Sequence, residues 1–210
     1  MGSKRLFESA LSFVVAATVL TWLIYRFDTA LLEGLLPIFR AELHWLMPSF
    51  RIDSLDWRIE RNESVVVLRA TLTEYRVIMN QVFPAGVSIN VSTLAAHAWV
   101  HPVLILSLVV AWPGIAWRRK PLMMLSALPF VLLAELLDIP LMLWGAMEDF
   151  LYWQANPARI GESIGSRVQH FLDGGGRYAL SIVLALLAIT LFRKCHPGES
   201  VPDQSICADR

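Results

Sequence analysis

The sequence predicts a mainly α-helical membrane protein: a four-helix transmembrane bundle with a small extracytoplasmic β-sheet and interfacial helices. Three observations predict it. Of the 210 residues, 56% are hydrophobic and 17% charged, with a mean hydropathy of +0.53, which is too apolar for an ordinary water-soluble domain. Four apolar stretches, residues 6–25, 94–117, 121–147 and 178–192, approach or exceed the roughly 20 residues a helix needs to cross a hydrocarbon core. Between the first and second of them the texture turns to Val, Ile, Arg and Thr, with turn residues between short runs.

The first stretch ends "VVAATVLTWLIYRF" and offers no small-x-small cleavage signal, so residues 1–25 read as a cytoplasmic N-terminus and an uncleaved anchor. Residues 26–93 form an outer segment in two parts. "ALLEGLLPIFRAELHWLMP" puts Leu32, Leu35, Leu36, Phe39, Leu43 and Leu46 near one face, the pattern of a helix lying in the membrane surface and bent at Pro37. After Pro48, Arg61-Asn62-Glu63-Ser64 reads as the turn between two strands. A sheet of some forty residues is too small to bury its own core, so it should lean on the membrane, on the second outer loop or on another protein.

Residues 94–147 read as a transmembrane hairpin turning at "WRRK", Trp117–Lys120. Residues 148–176 form the second outer loop, where Ile160, Ile164, Val168 and Phe171 or Leu172 recur at helical spacing after a start at Asn156-Pro157. Gly174-Gly175-Gly176 should stop that helix before the fourth span, residues 177–194; a ligand-binding glycine loop is the alternative use. Residues 195–210 are left as a cytoplasmic tail.

The basic residues set the orientation. Lys4 and Arg5, "WRRK", and Arg193 with Lys194 all fall on one side, which the positive-inside rule makes cytoplasmic. Trp22, Trp99 and Trp144 then mark outer ends of spans, and Trp112 and Trp117 an inner end, as in an aromatic belt. Both termini are expected in the cytoplasm of a bacterium, the chain crossing its inner membrane several times. Cys195 and Cys207 then meet a reducing compartment as free thiols.

Several function classes lose support. Formal net charge is zero, and residues 26–93 carry seven Arg against eight Asp and Glu, which favours neither nucleic acid nor an anion funnel. No GxGxxG, P-loop, GxSxG or HExxH pattern occurs, and the two cysteines have no metal-ligand spacing. No cofactor is expected.

One stretch stands out within the apolar runs. "LLAELLDIP", residues 132–140, carries Glu135 and Asp138, and a charge in hydrocarbon is costly unless paired, hydrated or neutralised. Counted inward from residue 147 at 1.5 Å per residue, Asp138 lies about 13 Å and Glu135 about 18 Å deep. His97 and His101, four apart on the second span, reach the same leaflet, so each pair occupies one helical face. Two imidazoles and two carboxylates suit a divalent metal or a proton relay. The structural alternative has the acids hydrogen-bonding a helix kinked at Pro140, where the carbonyl of residue 136 is freed, or pairing with Arg177 at the start of the fourth span.

The order of an N-terminal anchor, "LLPIFRAELHWLMPSFRI" leading into strands, "HPVLILSLVVAWP", "WRRK" and "FLDGGGRYAL" resembles small multi-span membrane proteins associated with exosortases, the transpeptidases of bacterial protein sorting. Exosortases resemble membrane cysteine transpeptidases with an outward-facing Cys, Arg and His. Here both cysteines are expected inside, so the chain departs from the enzyme's pattern, and the resemblance implies a noncatalytic accessory role. The partners expected are membrane lipid and a membrane or extracytoplasmic protein, with a membrane enzyme or transporter built on the His/carboxylate cluster as the alternative.

Overall fold

The computed structural model describes residues 2–196, so Cys207 and nearly all of the expected tail lie outside the described residues. Helix α1, Gly2–Leu46, is one continuous element of 45 residues, about 67 Å at 1.5 Å per residue. The separate surface helix expected over residues 30–48 is therefore the far half of the anchor's own helix. Pro37 removes one intrahelical hydrogen bond, but Phe39 and Leu43 beyond it are completely buried, and that packing keeps the helix on course.

They pack against strands. β1 (Phe50–Glu60) and β2 (Glu63–Leu72) form an antiparallel hairpin whose turn residues Arg61 and Asn62 both take positive φ, the geometry of a two-residue turn matched to strand twist. The register slips at Asp53, between Ile52 and Ser54, which marks a bulge. β3 (Arg76–Ile78) and β4 (Gln81–Phe83) make a short second hairpin, and β5 (Ser88–Leu94) completes a three-stranded sheet in the order β1-β2-β5. Leu94, expected to open the second span, instead ends β5.

Helix α2 is His97–Ala111 and α3 is Lys120–Leu136, joined through a 3-10 turn at Trp117–Arg119. The chain breaks at Leu137-Asp138 and resumes as α4, Ile139–Ala155, with Pro140 in its first turn, where a missing N–H costs nothing. Helix α5, Ile164–Phe171, runs through a π segment, Leu172–Gly176, into α6, Arg177–Cys195. Gly175, at φ 110°, leaves helical geometry, so the triple glycine ends the first helix as expected and the second follows across a kink.

Three helical runs are long and apolar enough to cross a membrane: Leu6–Leu46, Trp117–Ala155 and Ile164–Cys195. The fourth element expected to span, α2, is shorter, about 22 Å, but lies inside the bundle with Ile105 and Val109 fully buried. Two apolar cores result. One joins α2, α3 and α6 through Ile105, Val109, Met123, Ala127, Ala185 and Ile189. The other joins α1, the strands and α4 through Phe39, Leu43, Val66, Leu68, Leu143 and Met147. Helix α1 packs along α2 as the fourth helix, with Leu20 against the α2–α3–α6 core, while its first turns leave Leu6, Phe7 and Leu11 exposed.

The sheet leans on α1 and α4, and through the last turns of α4 on the start of the second outer loop, where Arg76 pairs with Glu148 and Leu151 is buried beside the strands. In that loop α5 packs on α4, where Gly145 and Gly165 let the backbones touch: a Cβ on Gly145 would stand 2.6 Å from the Gly165 carbonyl oxygen. Its apolar stripe faces away, leaving Ile164 74% exposed.

Candidate functional site

Asp138 sits at the break between α3 and α4. From Lys120 to Leu136 α3 covers about 25 Å, and Asp138 follows at the break, inside the apolar run Trp117–Ala155. Residues near the first turns of two neighbouring helices reach the same level, His101 on α2 and Arg177 as the first residue of α6. Arg177 donates from Nε to Asp138 Oδ2 at 2.5 Å and from Nη2 to Oδ1 at 3.1 Å, a two-pronged pair. His101 Nε2 lies 2.9 Å from the same Oδ2, and its Nδ1 lies 2.8 Å from Ser181 Oγ. Asp138, His101 and Ser181 have no exposed surface and Arg177 is 5% exposed.

The chain places these groups through local features. Pro140 and the break turn Asp138 out of the α3 helical path, and its side chain caps no helix end, which frees both oxygens for Arg177 and His101. The Gly175 kink starts α6 at Arg177, and Asp173, four residues earlier, adds a second carboxylate 3.6 Å from its Nη2. Ser181 follows Arg177 by one helical turn and returns its hydroxyl to the Arg177 carbonyl at 3.0 Å.

Proton placement follows from this inventory. An ionised Asp138 only accepts, so His101 Nε2 carries the hydrogen in that bond. Ser181 has one proton for two neighbours. Turned to the Arg177 carbonyl, it requires His101 Nδ1 to donate and the ring to be an imidazolium; turned to Nδ1, it leaves a neutral ring. A serine, a histidine and an aspartate in a row are the groups of a hydrolase relay, yet here the serine is sealed in the helix interface and the aspartate is neutralised by arginine.

The remaining candidates do not join them. His97 is half-buried and its Nδ1 meets Thr93 Oγ1 at 3.1 Å. Glu135, one turn before the break, is 2% exposed and neither of its oxygens has a hydrogen-bond partner, so it does not satisfy the kink at Pro140 as the structural alternative had it. Among the described residues no three His, Cys, Asp or Glu side chains gather in a metal-holding arrangement, so His97, His101, Glu135 and Asp138 are not one ligand set.

Sequence reasoning missed Ser181 and a second set of pairs on the sheet side. Ser181 was legible as the residue one turn beyond Arg177. Arg76 of β3 donates to Glu148 of α4 at 2.8 Å, and Asp149 accepts from Ser166 Oγ at 2.5 Å and from the Gly161 N–H at 3.2 Å. These contacts join residues up to 72 positions apart, and no local spacing announces them. Comparison with family models, with curated proteins and with solved structures found no match for the chain.

Proposed function

We propose that this protein is a noncatalytic integral membrane subunit of the bacterial inner membrane, an accessory or assembly factor of the exosortase-associated kind, which docks a protein partner through its sheet and surface helices. The observation that carries this reading is the closure of Asp138: its partners, Arg177 and His101, come from the chain itself, and the group is sealed from solvent. A charge so engaged holds helices in register and is not free for transport or catalysis. The docking face is suggested by the β3–β4 hairpin, where Val77 and Val82 are cross-strand partners yet 55% and 60% exposed, beside an exposed Tyr75. Both termini and the α2–α3 turn belong to the cytoplasmic side in this reading, since the first turns of α1 lie against that turn, opposite the sheet.

Affinity purification in mild detergent tests it. Val77→Asp with Val82→Asp should remove the co-purifying partner while membrane accumulation stays normal, and an unchanged partner would refute docking at this hairpin. In intact cells Lys120 should resist an impermeant amine reagent while a cysteine placed at Asn62 reacts. The second reading, a membrane enzyme or transporter, is favoured only by the unpartnered Glu135; a folded Glu135→Gln variant that has lost a measurable activity would establish it.

A further inference from the structure

On the sheet side of the bundle α1, α2 and the β1–β2 turn line a lateral groove of about 670 Å³, in the size range of small-molecule sites. Its walls are apolar: Ile24 from α1, and Trp99, Val100, Val103 and Leu104 from α2. Thr21 to Asp28 measures about 10 Å along α1 and Ala96 to Leu104 about 12 Å along α2, most of the ~15 Å depth of one leaflet's hydrocarbon. The mouth is polar and one-signed. Asp28 and Glu63 stand there with Ser64, and the lining holds no Lys, Arg or His. Tyr25 and Tyr178, both more than half exposed, place phenol donors at the same level.

We infer that this groove binds an amine-bearing phospholipid, one acyl chain lying between α1 and α2, the ammonium against Asp28 and Glu63 and the phosphate within reach of the tyrosine hydroxyls. Two carboxylates in a lining that holds no Lys, Arg or His repel an anionic headgroup and attract a primary ammonium. The phenols complement the adjoining phosphate, so the rim matches a zwitterion whose positive end is a hydrogen-bond donor. A single chain fits the groove's depth, whereas a partner helix, 10–12 Å across with its side chains, would lie over the opening rather than in it. The inference rests on the reading that α1 and α2 lie in a bilayer.

The full chain in nanodiscs tests it. Phosphatidylethanolamine brominated on its acyl chains should quench the Trp99 component, defined by difference from Trp99→Phe, more strongly than equally brominated phosphatidylglycerol, by about three- to fivefold in apparent affinity. Asp28→Asn with Glu63→Gln should abolish that preference; the amide at 28 keeps an acceptor for the Thr29 N–H. An unchanged thermal midpoint in the double variant separates headgroup selection from folding. Equal quenching by the two lipids, or a preference that survives in the double amide, overturns the inference. A photo-crosslinker at Val103 in native membranes should yield a phospholipid adduct, and a polypeptide adduct instead identifies a partner helix and also overturns it. Extraction of the chain by alkaline carbonate would refute the membrane reading itself, independently of lipid choice.

Discussion

On the far side of Asp138, α2, α3 and α6 meet through Ala127, Ala134, Ala185 and Ala188 among larger aliphatics, and the junction is closed by an arginine, an aspartate and a histidine. On the sheet side, α1 and α4 meet the strands through Phe39, Leu43, Leu68, Leu72, Leu143 and Met147, with ion pairs at the margin. The proposed membrane reading accounts for the division by solvent. In lipid, apolar side chains gain little by leaving their surroundings, so small residues bring backbones close and a polar group fixes the register. In water, the same burial of apolar surface is itself the driving force, and charges are left to orient loops. In that reading one chain uses both solutions, one on each side of the α3–α4 break.

The sharpest way to break this comparison is Asp138→Asn. Sequence alone predicts that amides at both Glu135 and Asp138 are tolerated; the structure separates them. Removing the charge at 138 leaves the buried Arg177 only the half-exposed Asp173 as counter-ion, at a cost of about 3 kcal/mol. Unfolding in detergent should show the loss, while Asp138→Leu with Arg177→Met should recover much of it. Next in size, Leu43→Ala should cost about 2–4 kcal/mol and show as protease sensitivity between residues 50 and 94, with the spans still inserted. If both variants melt the whole chain together, the two cores are one cooperative unit and the comparison fails.

Smaller effects sharpen it. Ile164→Asp, expected from sequence to loosen the sheet, should leave sheet protection unchanged because Ile164 is exposed and away from the strands; membrane affinity of the 156–176 segment is what should fall. Glu135→Gln should be neutral in stability within about 0.5 kcal/mol, since it breaks no hydrogen bond. The smallest effect is at the bulge. The hydrogen bond from Thr71, with that from Arg51, holds the Asp53 carboxyl below its ordinary 3.8. Its folded-state value is depressed, so its contribution is complete above pH 3.8 and is lost as pH falls through the folded value. Amide exchange in the β1–β2 hairpin should rise there, and Asp53→Asn should remove that dependence.

Much of this was legible in the sequence wherever the signal is local. Apolar runs placed the helices, Arg61-Asn62 placed the hairpin, and Pro140 placed the break. Arg177 was legible as a partner for the acids because few other cations lie at that end of the spans. What escaped reading depends on tertiary contact. Nothing in residues 26–46 says whether an amphipathic run lies on a membrane or on a sheet, because both surfaces take the same leucine face. The same ambiguity holds for Ile139 to Met147, which is apolar enough for lipid and also packs in the core shared with the strands. His97 and Glu135 share helix faces with His101 and Asp138, and spacing alone does not say which of two neighbours meets Arg177.

Helix α1 passes through both environments without a joint. A rod anchored near Lys4 converts small rotations into large displacements: tilting it by about 10° carries Leu46 through about 12 Å. Transmembrane helices adjust their tilt by such angles when bilayer thickness changes. In the proposed membrane reading, leaflet thickness and the position of the sheet are geared to one another, and a flexible insertion at Asp28-Thr29 would disengage them.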